Sequence, residues 1–322
     1  MENLYEWIHG GPDWIRHVVF SELMNIPTDD PIRIDAAQKM REDENIRGLL
    51  SDIQEIETAV LKRHNDASHI LHKLAFLSEL GFSKEDPEIK GIISKILDHQ
   101  SEDGPFQILS NYPTHFGGSG LDEWYWALCD APTLTYALVR FGLQEDERVR
   151  VSIDHMVNLV VQNGWPCAAA SALGKFKGPG KRTDPCPYAN LTMLKLLSAL
   201  PGSKYQDKIN IGIATLLSLW QNSHEQRPFL FWMGTDFRKL KVPFVWYDIL
   251  HVAEVLSRFP QCHKDRRFLE MIQEILSKAG NEGKFMSESI WTKWEGWEFC
   301  QKKEPSRWLT SCVLRIQKRI AA

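Results

Sequence analysis

The chain has 322 residues, with 38 Lys and Arg against 42 Asp and Glu and a formal net charge of -4. Its composition, 43% hydrophobic and 25% charged, suits a globular protein with a substantial core and excludes intrinsic disorder as the main state. The mixed, slightly acidic charge leaves no footprint for nucleic acid, and no apolar run approaches the roughly 20 residues that span a bilayer.

At the start of the chain, Met1–Glu6 has neither the basic nor the apolar part of a secretory signal, so a cytoplasmic protein is expected. Ile46, Leu49, Leu50 and Ile53 then fall at i, i+3, i+4 and i+7, with Asp43 three residues ahead. This predicts a helical N-terminal extension over 1–60, leading into a repeat domain over 61–322.

The repeat is explicit from residue 89. Ile89, Ile92, Ile93, Ile96 and Leu97 form one apolar face of a helix. The spacing recurs at Val149, Ser152, Ile153, Met156 and Val157, at Ile209, Gly212, Ile213, Leu216 and Leu217, and at Phe268, Met271, Ile272, Ile275 and Leu276. The anchors are 60, 60 and 59 residues apart. Asp86, Asp146 and Asp265 each stand three residues before an anchor, where a carboxylate caps a helix; the third segment has only Asp207, two before.

A second, more uniformly apolar helix precedes each amphipathic one and ends at Gly81, Gly142, Pro201 or Pro260, and a last apolar helix runs from Trp308 to Ile316. A helix apolar on most sides is buried. The predicted unit is therefore a buried helix, a turn, an amphipathic outer helix and a loop. No window alternates like a strand. Long aromatic loops, such as 106–128 and 228–246, favour closure of the repeats into a ring: an all-α, α/α toroid of inner and outer helices.

Two features point to chemistry. The six cysteines (129, 167, 186, 262, 300 and 312) form no CxxC pair, which favours reduced thiols. Ten of the 12 Trp lie at or after position 124. Trp126, Trp246, Tyr247 and Trp308 begin or precede buried helices, so in a closed ring they would line one mouth and, with Tyr188 in the turn opposite Trp246 and Tyr247, offer an aromatic wall to a hydrophobic small molecule.

The period, together with Gln100, Asp103, Gly104 and Phe106 in a QxxDGxF ending, resembles the α/α-toroid superfamily of terpenoid cyclases and protein prenyltransferase β-subunits, over roughly residues 60–320. The DxDD acid of squalene-type cyclases and the DDxxD of class I terpene synthases have no counterpart here, so the resemblance implies a prenyltransferase-like transferase if the chain is catalytic. It implies zinc as cofactor, held by Asp184 and Cys186 of Asp184-Pro185-Cys186 and by His251, with Asp248 as the alternative third ligand and Asp184 and Asp248 as candidate catalytic acids. It also implies an isoprenoid diphosphate gripped by the basic run, with Lys181 and Arg182 following Lys175 and Lys177.

Other readings stand beside these. Asp184-Pro185 is also a helix cap with Pro at the first helical position, and Cys186 and His251 are also plausible as core residues. Aromatics with acids equally suit an α/α-barrel carbohydrate enzyme with paired carboxylates, or a non-catalytic binding module.

Overall fold

The computed structural model describes residues 2–173, 184–200, 202, 204–225 and 231–321. Among the described residues fourteen α-helices run in chain order: α1 (Glu2–His9), α2 (Asp13–Val18), α3 (Pro31–Glu42), α4 (Glu44–Asp52), α5 (Ile70–Glu79), α6 (Pro87–Asp98), α7 (Ala131–Leu138), α8 (Glu147–Asn158), α9 (Pro187–Leu197), α10 (Gln206–Gln221), α11 (Thr235–Arg238), α12 (Ile249–Leu256), α13 (Arg266–Leu276) and α14 (Arg307–Ala321). No helix among the described residues is long and apolar enough to cross a membrane.

The helices expected to be buried are so on nearly every side. Every residue of α7, α9 and α12 is buried, and only Lys73 of α5 is not. The amphipathic helices bury the predicted stripe: Ile89, Ile92, Ile93, Ile96 and Leu97 in α6, and Val149, Ser152, Ile153, Met156 and Val157 in α8. Each buried aliphatic contributes about 1.5–3 kcal/mol. Asp146 and Asp265 cap α8 and α13 by accepting from Arg148 N and Arg267 N, both at 2.9 Å. Asp86 holds the cap position of α6, but its side chain turns back to accept from Ser83 N at 2.8 Å. Tyr205, not an acid, precedes α10.

One departure is a two-stranded antiparallel sheet inside the first aromatic loop, β1 (Ile108–Asn111) against β2 (Asp122–Tyr125), with Ile108 opposite Tyr125. Strands of four residues are too short to carry a visible alternation.

The chain forms two compact units. In the first, Asp52–Gly234 with Val245–Tyr247, α7 packs between α5 and α9, while α8 lies on α7 and α10 on α9. The QxxDG turn braces neighbouring layers: Gln100 Nε2 donates to Gly104 O at 2.7 Å and to Arg148 O at 2.9 Å, at the start of α8. The second unit comprises Met1–Ser51, Thr235–Phe244 and Asp248–Ala322. There α12 packs on α13 and α14, and α14 on α1. Its core gathers Trp14, Trp297, Phe299 and Trp308, with the Trp14 ring 5.1 Å from that of Trp308 and 5.2 Å from that of Trp297.

Candidate metal centre

In the unit built on α5–α10, three thiols converge from three segments. The sulfurs of Cys129, Cys167 and Cys186 all lie within 4.8 Å of one another; Cys129 and Cys186 are buried and Cys167 half-buried. Backbone pairing brings them together. Leu128 N donates to Ala168 O and Ala170 N to Trp126 O, both at 2.9 Å, which aligns the Cys129 stretch with residues 168–170. Cys186 N donates to Trp165 O at 2.9 Å, which aligns the same extended stretch with the start of α9.

The buried Asn190 of α9 fixes this arrangement. Its Oδ1 accepts from Trp165 N at 3.0 Å, and its Nδ2 donates to Trp165 O at 2.9 Å and to Cys186 O at 2.8 Å. Thr192 Oγ1 donates to Leu128 O at 3.1 Å, so α9 also holds the Cys129 segment. The tight turn ahead of Trp165 requires glycine: Gly164 has φ +107°, and a Cβ there would stand 2.5 Å from Asn190 Oδ1. Gly212 of α10 is needed for close approach, since a Cβ would meet the Trp165 ring at 2.7 Å.

The thiols are not equivalent. Cys186 is the N-cap of α9, where its Sγ accepts from Ala189 N at 3.4 Å. Hydrogen bonds from Cys129 and Cys167, aided by the backbone N–H groups of Ala189 and Tyr188, hold Cys186 well below the usual thiol range despite burial. The cost falls on its neighbours. Sharing hydrogen bonds with the other two thiols raises Cys129 well above its usual value, and Cys167 is pushed up to about 12, the bond to Cys186 and burial outweighing the lowering bond from Cys129. Cys186, with a helix N–H on its sulfur, is the thiol of the group best placed to ionise.

Asp130, next to Cys129 and 1% exposed, has both oxygens 2.9 Å from His64 Nδ1, and Tyr112 Oη donates to its Oδ2 at 3.3 Å. Burial lowers the His64 pKa, but the charge and hydrogen bond of Asp130, with the charge of Cys186, outweigh it and leave it raised. A cluster of aromatics lies in the same unit, with Tyr188, Phe231 and Tyr247 buried and Trp246 half-buried. The Tyr188 and Trp246 ring centroids are 4.3 Å apart, Phe231 stacks on Trp246 at 5.5 Å and meets Tyr247 edge-on at 5.7 Å, and Tyr188 Oη donates to Val245 O at 2.8 Å.

Of the residues expected from sequence, Cys186, Tyr188, Trp246 and Tyr247 belong to this region. Asp184 is exposed, and the cap falls on Cys186 with Pro187 at the first helical position, because α9 starts two residues later than Asp184-Pro185 implied. Trp126 is buried in the same unit, with Nε1 donating to Asp103 Oδ2 at 3.3 Å and its ring edge-on to His155. Trp308 lies in the Trp14 core of the other unit. Asp248 and His251 belong to that other unit as well. Asp248 caps α12 by accepting from His251 N at 2.9 Å, and the His251 ring stacks on Phe244 at 5.0 Å. Lys181 and Arg182, with Lys175 and Lys177, lie outside the described residues.

Cys129, Cys167, His64 and Asp130 were not found from sequence as a group, because their spacing matches no metal motif. One signal was present: Cys129 and Cys186 stand immediately ahead of successive buried helices, two and one residues before α7 and α9.

No family model matches the chain, and no curated protein matches it. Among solved structures, a crystal structure of a protein from Actinoplanes aligns over 96% of this chain and 90% of that one, at 14% identity and a TM-score of 0.44, a likeness too low to carry over a fold or a role.

Proposed function

We propose that this protein is a divergent relative of the prenyltransferase and terpenoid-cyclase toroids, that it holds zinc through Cys129, Cys167 and Cys186, and that it takes an isoprenoid-type hydrophobic ligand against Tyr188, Phe231, Trp246 and Tyr247. The observation that carries this reading is the convergence of three thiols whose sulfurs lie within 4.8 Å of one another. Zinc bound at about 2.3 Å to each sulfur would set them about 3.8 Å apart, so the group fits the ion with a small contraction. The toroid is supported by the alternation of buried and amphipathic helices within each unit.

Bound there, zinc supplies a Lewis acid and, with three protein ligands, a fourth position. The chain's own residues do the rest. Cys129 and Cys167, with the N–H groups of the first turn of α9, lower the Cys186 pKa, Asn190 holds the stretch before Cys167 in register, and the aromatic face excludes water from an apolar ligand.

The test is the metal content of protein purified without chelator, beside Cys186→Ala and Cys129→Ala. The expected result is near one zinc per chain, lost in both variants. Zinc well below one equivalent in the wild type, or unchanged in the variants, would remove the centre. Quenching of tryptophan emission by a long-chain isoprenoid diphosphate, weakened in Trp246→Leu, tests the ligand separately.

A further inference from the structure

The three cysteines leave a tetrahedral ion one ligand short, and the structure offers a residue prepared for that place. His64 Nδ1 is committed to both oxygens of Asp130 at 2.9 Å, while its Nε2 makes no hydrogen bond among the described residues. A carboxylate on one ring nitrogen is the arrangement that orients a metal-binding histidine and makes its other nitrogen a better donor. Asp130 is itself fixed by Tyr112 and by its place directly after Cys129, so one chain step supplies both a sulfur ligand and the orienting carboxylate.

The backbone that carries His64 is also held. His72 Nε2 donates to His64 O at 2.9 Å, and His69 Nε2 donates to Ala59 O at 3.2 Å while its Nδ1 accepts from Leu71 N. Leu61 N donates to Leu109 O at 2.8 Å and Asn111 N to Leu61 O at 3.1 Å, pinning the segment to β1. Two buried histidines and a strand edge thus serve to place a third histidine, an expensive local arrangement for a residue with no task.

We propose that His64 is the fourth protein ligand, binding through Nε2 and closing a Cys3His centre, with Asp130 as the residue that positions it. This rests on the zinc reading above. His64 stands outside the group of three sulfurs and is tied to it through Asp130, the residue after Cys129, so closure draws ring and sulfurs onto a common ion. A site closed by four protein ligands is a structural one, or one that opens only when His64 is displaced by a substrate thiol.

The experiment uses the full chain, stripped of metal and titrated with Co(II), and compares wild type with His64→Ala, Asp130→Asn and Cys186→Ala. Visible d–d absorption reports the coordination number, sulfur-to-metal charge transfer reports the thiolates, and competition with a chelating dye reports zinc affinity. Expected are a tetrahedral spectrum for wild type, a loss of at least about tenfold in affinity for His64→Ala with a changed d–d band, and return of that band on adding free imidazole. Asp130→Asn should keep the tetrahedral band and weaken binding by about 10–100-fold. If His64→Ala does not fold, His64→Gln carries the same comparison. Wild-type affinity and spectrum in the His64 variant would overturn the assignment while leaving a three-cysteine centre intact. A wild type that takes up no metal, or a Cys186→Ala variant that binds like wild type, would overturn the centre itself.

Discussion

A carboxyl buried at a helix start titrates according to what surrounds each of its oxygens. Asp248 Oδ1 accepts from His251 N, whereas Oδ2 is buried without a hydrogen-bond partner. Burial raises its pKa to about 7, against the opposing pull of the His251 and Leu250 N–H groups and the Lys241 charge. Because the native state then holds a proton that the unfolded chain releases near 3.8, stability falls as pH rises from about 4 to about 7. Asp248→Asn keeps a capping side chain and removes the charge. It should stabilise the protein by on the order of 2–4 kcal/mol at pH 8 and by little near pH 4, read from urea midpoints at both values. Equal differences at the two values would mean that Asp248 is not the group responsible. His17 and His72 act in the opposite sense. Burial lowers each to about 4, the first helped by Arg33 and Arg41 and the second by His69, so both withdraw stability as pH falls from about 6.5 towards 4.

Among the elements, α9 decides whether the thiol group exists, because the extended stretch around Trp165 is held on its first turn by Asn190. Gly164→Ala would place a methyl into Asn190 Oδ1 and Thr215 Oγ1 while keeping φ at +107°. The expected loss is about 2–4 kcal/mol in chemical denaturation, together with weaker metal uptake. A variant as stable as wild type would show that the turn adapts freely. The helices themselves were legible: all four amphipathic stripes and the buried helices ahead of them lie where the 60-residue period put them. Of the centre, only Cys186 was. Helix periodicity is written in neighbouring residues, but the approach of Cys129 and Cys167 depends on two short backbone ladders between loops. Those are made by N–H and C=O groups common to every residue. The β1–β2 hairpin escaped for a related reason, since its four-residue strands are fixed by pairing and not by pattern.

At the scale of the whole molecule, one unit is contiguous apart from three residues, while the other joins the two ends of the chain. Arg315, 4% exposed, lies over the Trp308 ring and donates to Glu22 Oε2 at 2.9 Å; Lys318 Nζ donates to Glu22 O at 2.8 Å; and Arg307 Nε donates to Trp7 O at 3.0 Å. Truncating Arg315 removes the ion pair and the cover over the Trp308 ring, while Glu22, 28% exposed, keeps Arg319 at 3.7 Å. Arg315→Ala should cost about 1–2 kcal/mol, mostly through lost packing, and should speed proteolytic cleavage within residues 1–51 before cleavage elsewhere. Cleavage that begins in the α5–α10 unit would place the weak point somewhere other than this junction.

The meeting of the chain ends sets a schedule for synthesis. Trp14 leaves the ribosome almost 300 residues ahead of the Trp297, Phe299 and Trp308 rings that cover it. At 5–20 residues per second that delay is roughly 15–60 s. The α5–α10 unit can assemble during the delay, apart from the residues that arrive with Val245–Tyr247. The helices around Trp14 must wait, and for that interval Trp14, Ile15 and Val18 stay uncovered, a sticky segment that a chaperone would shield.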